Sequence, residues 1–132
     1  MAWITPITDR TATDIATKTS KAYINVADWS RIFGNMNEVN DLMVGLGMIT
    51  DITSLIAPDI DTFPWADDIL DLQTNIYNLG VELLHENPGV VTLAALTKNF
   101  TGGMGGVMPT YIDVNNWESN LLIMYTWLTE EA

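Results

Sequence analysis

Apolar residues recur three and four positions apart in three long stretches of this chain, and each stretch is bounded by turn-forming residues. The first stripe is Val26, Trp29, Phe33, Met36, Val39 and Met43. This spacing puts side chains on one face of an α-helix. Asn25 can cap its start with Asp28 three residues on, and Gly45 and Gly47 should end it. The second stripe is Trp65, Ile69, Leu72, Ile76, Leu79 and Leu83. Its helix is expected to begin near Asp61 or Thr62, with Pro64 in the first turn where a missing N–H costs nothing, and to stop at Asn87-Pro88-Gly89. The third helix is expected to start at a capping Asp113 and carries Val114, Trp117, Leu121, Met124 and Leu128.

The remaining pattern is weaker. Residues 1–9 read as an extended arm, because Trp3, Ile4 and Ile7 have no helical period and Pro6 breaks a helix. Such an arm either folds back on the core or docks on a neighbour. A short helix is expected from Thr11 to about Lys21, on a thin stripe of Ala12, Ile15, Ala16 and Thr19, and another from Thr50 to Ala57, stopped by Pro58. "VVTLAALTKNF" reads either as a short helix or as a strand and turn. "TGGMGGVMP" reads as a loop, since four glycines in five residues hold regular structure poorly. The stripes are narrow, as in a bundle where each helix packs against two others. The expected fold is therefore all-α: one domain over residues 1–132, a small bundle of about three main amphipathic helices plus short ones, with an extended N-terminal arm and a flexible Gly-rich loop at 98–110.

The helices also resemble one another, in two competing frames. Aligning their starts sets "YINVADW" (23–29) over "YIDVNNW" (111–117). Aligning their bodies sets "RIFGNMNEV" (31–39), "DLQTNIYNL" (71–79) and "NWESNLLIM" (116–124) together. The second frame places Asn35, Asn75 and Asn120 in register, each just before a core position. An amide beside the core needs a partner, so each is expected to tie its helix to the segment crossing it. On periodicity alone, three unrelated helices with coincident asparagines account for the pattern equally well.

Composition narrows the chemistry. The chain has 132 residues, 48% of them hydrophobic, and no cysteine. This is enough apolar material for a core, and it leaves no disulfide or thiolate site. The first residues do not read as a secretory leader, and no run of 18 or more apolar residues suggests a membrane span. The net charge is −12, and from Ile32 onward Lys98 is the only base among 14 acids. That field opposes nucleic acid and anionic membranes. It reads either as simple solubility or as an acidic body facing a more basic partner. His85, the one histidine, suits the end of a helix better than a metal site. Asp67, Asp68 and Asp71 read as a solvated helix start rather than a catalytic pair. The glycine loop lacks the Lys-Ser/Thr of a phosphate-binding loop. No catalytic residue, metal or cofactor is expected, and the chain does not read as an enzyme.

One set of motifs goes further. Thr8-Asp9-Arg10-Thr11, then Tyr23-Ile24-Asn25-Val26-Ala27-Asp28-Trp29-Ser30-Arg31-Ile32 and Asn35, resembles a family of bacteriophage and prophage structural proteins, mostly from phages of Gram-positive hosts. The Asn-apolar ending at Thr74-Asn75-Ile76 and the Tyr…Glu-x-Asn-Leu helix from Tyr111 to Leu121 extend the likeness, although the first 43 residues carry most of it. Phe33, where that family often has glutamate, and the Thr101–Gly106 loop depart from it. The resemblance implies a virion structural protein of the tail, baseplate or neck, acting by protein–protein contacts with other virion proteins and copies of itself. Trp3 and Ile4 in the arm, and Phe100, Met104 and Met108 around the glycine loop, are the expected docking residues. The competing reading is an acidic helical adaptor outside the particle that binds a basic partner.

Overall fold

Among the described residues, four helices carry the fold: α1 (Ala12–Thr17), α2 (Val26–Gly45), α3 (Ala66–Glu86) and α4 (Tyr111–Glu130). The structure is a computed structural model that describes residues 3–17, 26–52, 66–96 and 109–131. Asn25, the expected second-helix start at 61–65, the Gly-rich loop and most of the proposed 50–57 helix lie outside those residues. Thr50, Asp51 and Ile52, the part of that helix that is described, are not helical. Among the described residues there is no strand, and the three long helices pack on one another as an all-α bundle.

The core is built from the three stripes. Trp29, Ile32, Phe33, Met36, Val39 and Met43 of α2 meet Ile69, Leu72, Ile76, Leu79 and Leu83 of α3 and Val114, Trp117, Leu121, Met124 and Leu128 of α4. Trp29 and Trp117 pack with ring centroids 6.2 Å apart, and the Trp117 indole N–H donates to Gln73 at 3.1 Å. Burying these side chains is the main source of stability. In α1, Ala12, Thr13 and Ala16 are exposed.

The frames resolve in favour of the helix bodies. Counting from Val26, Ala66 and Tyr111 as first residues, Asn35, Asn75 and Asn120 are each the tenth residue of their helix. The buried residues fall at the fourth, seventh, eighth, eleventh, fourteenth and eighteenth places in all three: Trp29, Ile69 and Val114 at the fourth, through to Met43, Leu83 and Leu128 at the eighteenth. Position eight alone changes character, holding Phe33, Gln73 and Glu118.

The helices run in the same direction. Trp29, Gln73 and Trp117, near the three starts, are neighbours. The turn after α2 (Leu46, Gly47, Met48), the end of α3 (Glu86, Asn87) and Trp127 near the end of α4 line one cleft. Parallel neighbours need long return connections, since a twenty-residue helix is about 30 Å long. The chain has the length for them, with 20 residues between α2 and α3 and 24 between α3 and α4.

Each end has its own device. Gly47 adopts φ +84, and the Met48 N–H bonds the Met43 carbonyl at 3.0 Å. This left-handed closure needs a residue without Cβ. Gly89 adopts φ +76 after Pro88 and turns the chain out of α3. At the start of α4 the expectation is corrected: Asp113 is not the cap. Thr110 is the N-cap, with Asp113 accepting the Thr110 N–H at 2.7 Å and Thr110 Oγ1 accepting the Asp113 N–H at 3.4 Å. The reciprocal pair satisfies two otherwise open donors, so the cap stands three residues before Asp113 and the helix begins at Tyr111. Thr11 and Asp14 form the same pairing at α1.

Candidate functional site

The arm lies back on the bundle. Trp3 is half-buried and its ring stacks on Tyr125, with centroids 3.9 Å apart and planes 6° from parallel. Asn35 grips the arm's backbone with both ends of its amide. Its Oδ1 accepts the Ile4 N–H at 3.0 Å, and its Nδ2 donates to the Ile4 carbonyl at 2.7 Å. Asn115 holds Arg10 in the same way, accepting its N–H at 3.2 Å and donating to its carbonyl at 2.8 Å. Asn120 holds Ala94, accepting at 2.9 Å and donating at 2.9 Å. In each case a helix side chain pairs with a passing backbone much as a neighbouring strand would. Asn75 is buried and is also engaged rather than free. Beside it, Asn78 donates to the Asp51 carbonyl at 3.2 Å.

Between the arm, α2 and α4 sits a buried ionic network. Glu118, with 0% of its surface exposed, accepts from Arg31 Nε at 2.6 Å and Nη2 at 3.0 Å, and from Arg10 Nη1 at 2.8 Å. Arg31 also pairs with Asp28 at 2.8 Å, and Arg10 approaches the same Asp28 oxygen at 3.6 Å. Arg10 Nη1 further donates to the Ile7 carbonyl at 2.9 Å, closing the arm on itself. Two guanidinium groups and two carboxylates balance, and the fork-shaped contact of Arg31 with Glu118 is the strong geometry for such a pair. Burial works against the Arg31 cation. The bonds and attraction of Glu118 and Asp28 outweigh it and hold Arg31 above the usual guanidinium range.

Thr8–Asn35, the segment that carries the resemblance, therefore supplies Arg10, Asp28, Arg31 and Asn35 to this network and its clip, and the Glu-x-Asn-Leu segment supplies Glu118 and Asn120. Sequence reasoning missed Glu118 as a buried charge. The signal was present: Glu118 lies four residues after Val114 and next to Trp117, inside the apolar stripe. Asn115 and Ala94 carried no such signal.

Trp3 faces the chain's own core, whereas the Ile4 side chain is 54% exposed. Phe100, Met104 and Met108 lie outside the described residues. His85 is exposed in the last turn of α3. Asp71 is partly exposed, and the side chains of Asp67 and Asp68 are outside the described set. Among the described residues no group of three His, Cys, Asp or Glu side chains could hold a metal ion, and no helix is long and apolar enough to cross a membrane.

A groove beside Gly80 is lined by Tyr77, Val81, Leu84 and Leu93 and has a volume of about 200 Å³. Small-molecule pockets run from about 300 to 1,000 Å³, so this one is side-chain sized. The Leu93 side chain rests on Gly80, where a Cβ would lie 2.7 Å from its Cδ1. The asparagine clips and the ionic network together tie the arm and the crossing backbone to the bundle. No known protein family, curated protein or solved structure matches the chain.

Proposed function

We propose that the chain is a virion structural protein of a bacteriophage, a tail, baseplate or neck component that works through protein–protein contacts in an assembly of several copies. The observation that carries this reading is where the resembling residues sit. Arg10, Asp28, Arg31 and Asn35 are the residues that lock the arm to the bundle. A motif that builds a scaffold is one a family of structural proteins would share. A contact role also suits the surface. Val44, Leu46 and Ile49, close together in sequence at the end of α2, are each more than half exposed, and large exposed apolar side chains grouped together mark contact sites.

Mass spectrometry of purified phage particles tests the reading, with the protein expected in several copies per particle. Its absence from mature particles sinks the structural role and favours the second reading, a non-virion adaptor for a basic partner. The net charge of −12 speaks for that second reading.

A further inference from the structure

Because α2, α3 and α4 run parallel, their three carboxyl ends meet at one end of the bundle. Each helix end carries about half a negative charge from its aligned peptides. Lysine or arginine in the last turn usually offsets this. Here α2 and α4 have no basic residue in the last turn, and α3 has only His85. Acids stand there instead: Glu86 ends α3, and Glu130 and Glu131 end α4. Backbone and side chains thus add to the same negative field.

An acidic end alone would be a solvated surface. This one is also apolar. Ile49 is 84% exposed, Val44 53% and Leu46 51%, and Leu122 is 36% exposed beside half-buried Trp127. Trp127 joins two clefts. One runs over Leu46, Gly47 and Met48 to Glu86, and the other over Val91, Leu122 and Ile123 to Glu130 and Glu131. The result is an apolar strip with carboxylates at its edges, which is the layout of a protein interface with a dry centre and a charged rim.

We propose that this end of the bundle is a docking face for a polypeptide surface that is apolar at its centre and bears lysine or arginine at its rim. Charge selects the occupant. Nucleic acid and anionic lipid carry the same sign as the face and are repelled. A second copy meeting it end to end would set Glu86, Glu130 and Glu131 against themselves. A basic-rimmed partner neutralises both the carboxylates and the helix ends, while Ile49, Leu46 and Trp127 supply the apolar contact. The proposal rests on the reading that this chain acts through protein contacts, and it names the face and the chemistry of the partner.

The test uses the full chain and a synthetic helical peptide with a leucine face bordered by lysines, alongside the same peptide with glutamate for lysine. Hydrogen exchange on the wild-type protein should show protection by the lysine peptide at 44–49, 86–91 and 122–131, and none by the glutamate peptide. Binding should weaken steeply with salt. Glu86→Gln/Glu130→Gln/Glu131→Gln should weaken it at least about tenfold and flatten the salt dependence, and Leu46→Ser/Ile49→Ser at least about tenfold with the salt dependence kept. Protection elsewhere, equal binding of the glutamine variant, or a dimer through this face in sedimentation overturns the proposal. Particle mass spectrometry keeps the two readings apart. A protein present in particles whose C-terminal face stays unprotected loses the docking face and keeps the virion role. A protein absent from particles that binds the peptide here keeps the face and loses the virion role.

Discussion

Glu118 bridges two guanidinium groups in a place water does not reach. Removing its charge while keeping its shape leaves Asp28 alone against Arg10 and Arg31. Breaking a buried pair from one side costs about 3–5 kcal/mol, a large part of a total stability of about 5–15 kcal/mol. Glu118→Gln is therefore expected to move the urea midpoint far down, with the slope unchanged. A loss under about 1 kcal/mol would mean that the network is solvated and marginal. Replacing Arg10, Asp28, Arg31 and Glu118 together by apolar residues of similar size should cost less than the single change, because no charge is then left unpaired. Arg31 adds no pH dependence in ordinary buffers. Its folded-state pKa is raised, so its contribution is fully present below the unfolded guanidinium value and is lost only when pH climbs through the higher folded one.

Each long helix behaves as one unit with the segment that crosses it, and the tenth-position asparagine is the join. Asn35→Ala leaves the Ile4 N–H and carbonyl without partners in a half-buried place, and Asn120→Ala does the same at Ala94. A stranded backbone group costs about 1–3 kcal/mol. Each variant should lose stability in that range and exchange the amide of Ile4 or Ala94 much faster, while the far helix keeps its protection. Asn→Asp is the sharper probe, because it keeps the acceptor and loses the donor. If the Ile4 and Ala94 amides exchange in the alanine variants as in the wild type, the clips hold nothing. Much of this was legible in the chain. Residues at three- and four-residue spacing marked the three core faces, and the in-register asparagines marked the joins. The direction of the helices is less legible, although about twenty residues between α2 and α3 suit a return run better than the short loops of an up-down bundle. Thr110 is masked as a cap in the sequence because an aspartate three residues later looks like a cap by itself. Asn115 with Arg10 was beyond reach, since the two stand 105 positions apart and no local pattern links them.

At the scale of the whole molecule the parallel arrangement sets an electrostatic cost. Up-down bundles cancel their helix dipoles pairwise, whereas here three add, at an end that also holds Glu86, Glu130 and Glu131. The chain as a whole carries −12, so its folded form repels itself more than its unfolded form does. Two consequences can be measured together. Raising sodium chloride from about 10 mM to 0.5 M shortens the screening length from about 30 Å to a few Å, so the melting temperature should rise with salt. Glu130→Lys/Glu131→Lys should stabilise the protein by about 0.3–1 kcal/mol per residue at low salt by matching the α4 end with cations. The gain should shrink as salt is added, because the same interaction is being screened. A control change at Glu38, inside α2 and far from any helix end, should give a smaller gain. If the two reversals leave the low-salt melting temperature unchanged or lower it, the three carboxyl ends do not share one field, and the parallel bundle has no electrostatic cost to offset. If they raise it, the wild-type chain holds acids where its own stability favours bases, which is the pattern expected of a surface kept for a partner.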